Sequence, residues 1–285
     1  MNFYLRLAAW AARSLPQPLI TQLYRIPCLA KLIRHALNQA APDGLTETII
    51  AAGNLSRMRM MLNLKTEKDY WLGTYEPHLQ TAAGELVRNG MVLYDIGANI
   101  GYISLMLARL SAPQGQVFSF EALPANLQRL QENVKLNGME SRIHIQPRAV
   151  IDQSRKVKFL IHSSTSMGKA AGSAGRMESY DQEITIPGIA LDDFVYREKN
   201  PAPDLIKMDI EGGEVLAVAG MRQVLKEHQP VFLIELHGEE AAQVIWNQLS
   251  AAGYTIMEMK KGYPIVRSLS QLDWKAYIVA KPGSK

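Results

Sequence analysis

From Met91 onwards the sequence alternates between short apolar runs and longer amphipathic stretches. Seven runs have the length and residue types of β-strands: MVLYDIG, QVFSFEA, IHIQPRAV, DLIKMDIE, VFLIELH, YTIMEM and WKAYIVAK. Most of the stretches between them have helical periodicity over about 10–15 residues. Because strands that alternate with such helices form crossover units, the pattern predicts an α/β fold with a largely parallel sheet.

One segment interrupts this alternation. Residues 162–183, HSSTSMGKAAGSAGRMESYDQE, are rich in Gly, Ser and Ala and lie between the third strand and the next crossover unit. Long segments of this kind are uncommon in compact domains unless they serve a function. We expect a short hairpin followed by a mobile loop, which is a candidate lid over a ligand site.

The first strand of the sheet ends in a glycine turn that an acid precedes. In DIGANIG, Asp95 stands before Gly97, and Gly101 follows four residues later. Ligands of open parallel sheets bind beyond the carboxyl ends of the strands. We interpret the two glycines as positions where the backbone approaches a ligand without hindrance from a Cβ atom. Asn99, between them, belongs to the same predicted site.

The spacing of this turn disfavours a dinucleotide. The dinucleotide fingerprint is G-x-G-x-x-G, whereas Gly97 and Gly101 form G-x-x-x-G. Asp95 would also repel a pyrophosphate, since both are anionic, but it suits a ligand with a cationic head. S-adenosylmethionine has an ammonium group, a sulfonium and no phosphate, so the turn predicts this cofactor.

A second acid occurs at the end of the next strand. Glu121 follows the run VFSF. A carboxylate there can accept hydrogen bonds from both ribose hydroxyls of an adenosine. Leu123 is placed to cover the adenine, and Ala149 and Val150, at the end of the third strand, are placed to cover its other face.

Charged residues alternate along the strand LIKMDIE. Lys207, Asp209 and Glu211 share one face, and the two acids lie at the carboxyl end, where a substrate would bind. Burying these charges is costly unless they are paired or used. We predict that Asp209 and Glu211 are catalytic. For Lys207 two roles stay open: a catalytic one, and that of a buried cation that neutralises a carboxylate.

The strand VFLIELH brings a further acid and a histidine to the same end. Glu235 and His237 share a face of this strand. We predict that His237 acts as a general base or a metal ligand, because imidazole titrates near neutral pH and binds metals. Asp209, Glu235 and His237, with Glu211, are the candidates to hold a hard divalent ion such as Mg²⁺ or Mn²⁺. Their spacing matches no recognised metal motif, so a metal is the less favoured option.

The first 42 residues differ in charge from the rest of the chain. The net charge is +4, and this arm contains five basic residues and no acidic residue. The basic character therefore belongs to the arm and not to the main domain, which disfavours a nucleic-acid partner. The single cysteine, Cys28, is typical of a reducing compartment and predicts a cytoplasmic location.

Two interpretations of the arm stay open. Phe3, Leu7 and Trp10 recur at helical spacing, while arginines interrupt every apolar run well before the roughly 20 residues of a membrane span. The runs are also too short for a secretory signal. We predict amphipathic helices that either cap the main domain or lie on an anionic membrane, at the inner membrane surface.

Six segments occur in an order typical of one protein family. They are YEP, DIGANIGYISL, FEALPANLQRLQENVKLNG, IALDD, DLIKMDIEGGE and LIEL, between about Tyr70 and Ala280. In these segments the sequence resembles the FkbM family of S-adenosylmethionine-dependent methyltransferases. It departs from the family pattern after Glu121, where Ala-Leu-Pro replaces the usual proline. The resemblance implies a doubly wound, mostly parallel, Rossmann-like sheet of seven strands with an antiparallel last pair.

The resemblance also implies a role for Glu76, in the segment GTYEP. It implies that Glu76 reaches the ammonium group of the cofactor or the substrate. The alternative is an acid at a helix start ahead of Pro77.

These features predict methyl transfer to a hydroxyl group. The resemblance implies an acceptor that is a small molecule: a sugar, a glycolipid or a secondary metabolite. Two alternatives are a nicotinamide-dependent oxidoreductase, disfavoured by the missing glycine fingerprint, and a non-catalytic membrane-associated module, disfavoured by the carboxylates at two strand ends. We expect a basic helical extension over residues 1–69 and a methyltransferase domain over residues 70–285.

Overall fold

The computed structural model describes residues 3–14, 26–162, 168–174, 180–273 and 275–283. The chain divides into two compact units. The first comprises Met1–Gln80 with Glu132–Gly138, and the second comprises Thr81–Gln131 with Met139–Lys285. The expected boundary between residues 69 and 70 therefore falls inside the first unit.

The first unit contains helices and a hairpin. Its helices are α1 (Phe3–Ser14), α2 (Pro27–Ala40) and α3 (Lys68–Leu72), and β1 (Thr46–Ile49) pairs with β2 (Arg59–Leu62) in antiparallel register. The hairpin was not predicted, since we expected only helices before residue 70. Met60 and Leu62 of β2 are completely buried, whereas Ile49 of β1 is exposed.

Helix α1 packs through one face of the helix. Leu5 and Ala9 are buried, whereas Phe3, Leu7 and Trp10, which share helical spacing, are exposed.

Arg25 of the basic arm lies outside the described residues. Among the helices of the described ranges, none combines the length and the apolar content that crossing a bilayer requires.

The remaining elements follow in the order of the chain. The helices are α4 (Pro77–Leu86), α5 (Tyr102–Leu110), α6 (Pro124–Leu136), α7 (Glu214–Ala219), α8 (Arg222–Glu227) and α9 (Glu239–Ala251). The strands are β3 (Val92–Ile96), β4 (Gln116–Phe120), β5 (Ile143–Gln146), β6 (Ala149–Val150), β7 (Lys156–His162), β8 (Gly168–Ala170), β9 (Tyr180–Ile189), β10 (Leu205–Met208), β11 (Val231–His237), β12 (Tyr254–Glu258) and β13 (Lys275–Pro282).

A seven-stranded sheet with the spatial order β12-β13-β11-β10-β3-β4-β5 forms the centre of the second unit. Strand β13 is antiparallel to both of its neighbours, and the other pairs are parallel. The chain runs outward from β3 to β5 and then from β10 towards the opposite edge. This confirms the doubly wound fold that we predicted, and it places the topological switch point between β3 and β10.

The central strands are apolar on both faces because elements of the chain cover both faces of the sheet. Tyr94, Phe118 and Phe120 pack around Phe194, with ring centroids 5.1–5.6 Å apart. The hydroxyl of Tyr94 donates a hydrogen bond of 2.6 Å to the carbonyl oxygen of Pro201. This core fixes the strands whose ends carry the predicted site.

The segment between β5 and β10 builds a second sheet, with the order β6-β9-β7-β8. The run IHIQPRAV, predicted as one strand, divides at Pro147 between β5 and β6, since proline has no amide hydrogen for a neighbouring strand. Strands β7 and β8 pair in antiparallel register, as the expected short hairpin requires, but β9 begins at Tyr180, so the end of the expected loop is a strand. Residues 163–167 and 175–179 of this candidate lid lie outside the described residues.

Candidate functional site

Strands β11, β10, β3 and β4 are neighbours and end at the same edge of the sheet. Backbone hydrogen bonds join these ends. The N–H groups of Gly97 and Ala98 donate to the carbonyl oxygen of Phe120 at 3.0 and 2.9 Å, and the N–H of Asp209 donates to that of Ile96 at 3.1 Å. The predicted residues at the ends of these four strands therefore converge.

Both glycines of the turn have left-handed backbone, and at Gly97 the protein's own packing also excludes a side chain. Gly97 has φ +81°, and a Cβ atom there would lie closer than 3.0 Å to the carbonyl oxygen of Asp209. Gly101 has φ +91°, and a Cβ atom there would lie closer than 3.0 Å to the side chain of Leu130 on α6. The close approach that excludes a side chain is therefore the approach of Gly97 to the backbone after β10, while at Gly101 the left-handed backbone conformation favours glycine. Our prediction attributed it to a ligand.

The carboxylate of Glu121 is held by backbone N–H groups. The N–H of Asn99 donates to Oε2 and that of Leu123 donates to Oε1, each at 2.7 Å. The two oxygens can accept about four hydrogen bonds, so capacity remains for further donors. Burial raises the pKa of Glu121 although these hydrogen bonds and the charge of Lys207 lower it. The strand end thus presents a fixed carboxylate whose charge further donors would stabilise.

The surroundings of Glu121 fit an adenosine-type cofactor. Asn99 has φ +49°, and its Oδ1 is buried without a hydrogen-bond partner within the described ranges. A donor on a ligand would satisfy it. Leu123 and Ala149 belong to an apolar cluster formed with the second sheet, as a wall beside an adenine requires. Val150 instead packs into the core of the main sheet.

Asp95 lies deeper than we predicted. Its side chain is completely buried, Ser104 Oγ donates to its Oδ2 at 2.6 Å, and Ser119 Oγ donates to Ser104 at 2.8 Å. Lys207 Nζ lies 3.4 Å from its Oδ1 and donates to the carbonyl oxygen of Gly97 at 2.9 Å. These are the contacts of a buried cation that neutralises a carboxylate. The geometry favours a supporting role for Asp95 over direct contact with the cofactor's cationic head.

Four carboxylates surround the imidazole of His237, and we call Asp209, Glu211, Glu214 and Glu235 the acidic cluster. Nε2 of His237 lies 3.7 Å from Asp209 Oδ1, 3.7 Å from Glu211 Oε2 and 3.2 Å from Glu235 Oε1. Nδ1 lies 3.1 Å from Glu214 Oε1, at hydrogen-bond distance. The side chains of Asp209 and Glu211 are 20% and 33% exposed, so these two are the members open to a ligand.

The acidic cluster determines the charge of His237. Burial by itself lowers the pKa of this imidazole, but its contacts with Glu214, Glu235 and Asp209 outweigh burial and raise the pKa to about 10. The ring is therefore protonated near neutral pH. This disfavours the predicted role of His237 as a general base, because a protonated imidazole has no lone pair to accept a proton.

Glu235 already has cationic partners. Lys275 forms an ion pair with its Oε1. Burial raises the pKa of Glu235, but its contacts with His237 and Lys275 prevail and lower it to about 2. One group whose ligand atoms all lie within 4.8 Å of one another is Asp209, Glu211 and His237. These three are among the four residues of our predicted metal set, which also named Glu235.

Sequence reasoning missed three contributors to this site. Glu214 is completely buried against His237, Ser104 binds Asp95, and Lys275 neutralises Glu235. An acid in the first turn of a helix, such as Glu214 in α7, is common because the helix dipole favours it. The residue type and position of Glu214 therefore do not predict a site. Only its burial in the folded chain indicates one.

Glu76 belongs to the first unit. Glu76 has φ +42°, and its backbone carbonyl oxygen accepts a hydrogen bond of 3.0 Å from the N–H of Gln80 in the first turn of α4. This geometry is that of an acid at a helix start. Contact of Glu76 with the cofactor or the substrate stays a prediction.

The profile of the Methyltransferase FkbM domain matches residues 95–256, a range that contains the glycine turn, Glu121 and the acidic cluster. Two curated relatives are similar. Hexuronic acid methyltransferase AglP of Haloferax volcanii is 28% identical over 166 residues, which cover 56% of this chain and 62% of the relative. 2-O-methyltransferase NoeI of Sinorhizobium fredii is 27% identical over 155 residues, which cover 50% of this chain and 61% of the relative.

The chain thus spans less than two thirds of the length of either relative. Among solved structures, a methyltransferase FkbM from Methylobacillus flagellatus KT is similar, with a TM-score of 0.48 and 19% identity. That similarity covers 91% of this chain and 60% of the other.

Proposed function

This chain belongs to the FkbM methyltransferase family, and from that premise we propose that it is an S-adenosylmethionine-dependent O-methyltransferase. The observation that carries the proposal is the juxtaposition of two sites at one sheet edge. The fixed carboxylate of Glu121 lies at the end of β4, and the acidic cluster lies at the ends of β10 and β11. One site suits the ribose of a cofactor, and the other suits the hydroxyl of an acceptor.

Residues around the glycine turn would hold the cofactor. Glu121 accepts hydrogen bonds from the ribose hydroxyls, Asn99 accepts a further donor, and Leu123 and Ala149 form the apolar wall beside the base. When bound, S-adenosylmethionine supplies a methyl group on a positively charged sulfur. The task of the protein is then to align an acceptor oxygen with that methyl group. This orientation supplies most of the rate enhancement.

The open members of the acidic cluster would bind the acceptor. The carboxylates of Asp209 and Glu211 accept hydrogen bonds from hydroxyl groups, and one of them takes the proton of the reacting hydroxyl. Lys207 Nζ lies 3.8 Å from Asp209 Oδ2 and is a cationic partner of that carboxylate. His237 is protonated and so acts as a hydrogen-bond donor in this scheme.

The relatives support a sugar-type acceptor. AglP is a hexuronic acid methyltransferase and NoeI is a 2-O-methyltransferase. A hydroxyl of a sugar, a glycolipid or a secondary metabolite is the corresponding acceptor in our proposal. The family assignment favours methyl transfer over the nicotinamide-dependent alternative, and the buried, ordered carboxylates favour an active enzyme over a non-catalytic module.

A methyl-transfer screen tests this function. Labelled S-adenosylmethionine is incubated with the full chain and with fractionated extracts, sugars and glycolipids, and label is sought on an acceptor oxygen. For the acceptor found, Asp209→Asn should lower kcat by about 10²–10⁴-fold and leave cofactor affinity unchanged. Glu140→Gln, at an exposed acid of the same unit, is the control. A folded Asp209→Asn variant with wild-type kcat would remove Asp209 from catalysis.

We also propose that helix α1 binds a membrane surface. Phe3, Tyr4, Leu7 and Trp10 are 70%, 54%, 49% and 57% exposed. At about 100° per residue, these four side chains fall within an arc of about 120° on the helix. Exposed apolar patches of this kind mark interaction sites.

The charge around this stripe favours anionic lipid as the partner. Arg6 and Lys31 are exposed, and no acidic residue occurs before Asp43. Basic residues near an anionic surface contribute about 1 kcal/mol each, and aromatic side chains favour the interface. An enzyme bound in this way would meet a glycolipid acceptor at the membrane.

Vesicle flotation tests the membrane proposal. The full chain should float with phosphatidylserine-containing vesicles at low salt and dissociate as salt rises. Trp10→Ser should weaken this binding, whereas Ile265→Ser, which removes an apolar side chain of the same 57% exposure in the second unit, should not. Equal flotation of the two variants would overturn the proposal.

A further inference from the structure

We propose that Asp209, Glu211 and His237 bind one divalent metal ion. Two carboxylate oxygens and an imidazole nitrogen lie within 4.8 Å of one another. This donor set is one that Mn²⁺ accepts, and the two oxygens suit Mg²⁺ as well. The inference deepens the proposed function, because the ion would bind the acceptor oxygen, but the binding test below does not require methyl transfer.

The nitrogen that faces the two carboxylates is the observation that points to a ligand. Nε2 of His237 is buried and has no hydrogen-bond partner in the described part of the chain, although Glu235 Oε1 lies 3.2 Å away. It lies 3.7 Å from one oxygen of Asp209 and 3.7 Å from one of Glu211. A buried polar atom without a hydrogen bond is costly, and a metal ion between these three atoms would satisfy it.

Glu214 prepares the imidazole for a metal. Its Oε1 lies 3.1 Å from Nδ1 of His237 and also accepts the N–H of Ile210 at 3.2 Å, so the carboxylate is fixed and completely buried. A carboxylate that accepts the Nδ1 hydrogen orients the ring and leaves Nε2 as the ligand atom, as the outer shell of metal sites does. Glu214 is therefore a positioning residue.

The charges of the site also favour a cation. Within the described ranges, ion pairs of 3.8 Å or less join the carboxylates of Asp95, Asp209, Glu211, Glu214 and Glu235 to the cationic groups of Lys207, Lys275 and His237. When His237 is a neutral ligand, these five carboxylates face the two lysines. A divalent ion would offset part of this negative charge, and His237 would release its Nε2 proton to solvent when the ion binds.

The position of the site suits an acceptor oxygen. Asp209 and Glu211 are the two ligands that reach solvent, so an ion held by them keeps coordination positions open on that side. A hydroxyl bound there loses its proton more easily, since the ion stabilises the alkoxide. The ion would thus share with the carboxylates the task of activating the acceptor.

Titration with Mn²⁺ alone tests the inference. Electron paramagnetic resonance of free Mn²⁺ should show one saturable site on the full chain, and Mg²⁺ should compete for it. Asp209→Asn and Glu211→Gln should each weaken binding at least tenfold, and Glu214→Gln by about 10–100-fold. Glu140→Gln, an exposed acid of the same unit, should bind like the wild type.

The outcomes separate this inference from the proposed function. No saturable Mn²⁺ binding, or equal binding by the wild type and by Glu211→Gln, overturns the metal site. Glu211 is the ligand whose side chain is one-third exposed, so its variant should fold, and circular dichroism checks this. Methyl transfer without Mn²⁺ binding would overturn the metal site alone. Mn²⁺ binding without methyl transfer to any acceptor would overturn the proposed function alone.

Discussion

At the scale of single residues, Glu121 is the side chain on which the cofactor proposal depends most. Glu121→Gln keeps the size of the side chain but replaces one acceptor by an NH₂ group, so it loses hydrogen bonds to a charged acceptor. We expect S-adenosylmethionine affinity to fall by about 10–100-fold, equivalent to about 1.5–3 kcal/mol. Titration calorimetry measures this, and an unchanged affinity in a folded variant would remove Glu121 from the site.

The raised pKa of Glu121 adds a pH dependence with a definite sign. Burial raises the pKa of the free carboxyl, whereas hydrogen bonds from ribose hydroxyls would lower it in the complex. Affinity should therefore be constant above the pKa of the free protein and fall as pH drops through it. Titrations over a pH series should show this fall in the wild type and not in Glu121→Gln. The same fall in both would assign it to another group.

A substitution at Gly97 tests whether the backbone of Asp209 excludes a side chain there. Gly97 and Gly253 have φ +81° and +80°, so alanine is strained at both, but only at Gly97 would a Cβ atom meet backbone, that of Asp209. Gly253→Ala should cost about 1–2 kcal/mol of stability, the left-handed penalty alone. Gly97→Ala should cost clearly more in urea denaturation. Equal costs would mean that the turn tolerates a side chain at Gly97.

At the scale of elements, α1 has two faces that a matched pair of substitutions can separate. Leu5 is 3% exposed and Leu7 is 49% exposed on the same helix. Leu5→Ala should loosen the packing of α1 and speed amide hydrogen exchange over residues 3–14, because it removes buried apolar contacts. Leu7→Ala should leave exchange unchanged. The opposite result would show that the stripe of Phe3, Leu7 and Trp10 is the packed face.

The break between α7 and α8 shows how contacts with a neighbouring element accompany the end of a helix. The stretch GEVLAVAGMRQVLKEH has helical periodicity throughout, yet it forms two helices, α7 and α8, with a break at Gly220. A Cβ atom at Gly220 would lie closer than 3.0 Å to the carbonyl oxygen of Ile151, so the chain is pressed against the start of the second sheet there. Helical periodicity continues through this point, and the break coincides with a glycine, a common helix stop, in close contact with Ile151.

At the scale of the whole molecule, cofactor binding should stabilise the fold. A ligand at 100 times its Kd stabilises the native state by about 2.7 kcal/mol, which for a domain of this size raises Tm by about 5–10 °C. We expect this shift with S-adenosylmethionine and none with NAD(H). Differential scanning fluorimetry measures both. A rise in Tm with NAD(H) alone would favour the nicotinamide-dependent oxidoreductase.

The fold class and the edge of the sheet at which the site lies could be predicted from the sequence. Strand and helix periodicities are local properties, and parallel strands bring their carboxyl ends to one edge, so the largely parallel sheet and the positions of Glu121, Asp209 and His237 could be predicted. The doubly wound order of the strands followed from the resemblance to the FkbM family. The contacts of those residues became known only from the folded chain. The protonation of His237, the partners of Asp95 and the exposed face of α1 depend on side chains distant in sequence, because burial and nearby charge, which no local pattern records, set the energy of each group.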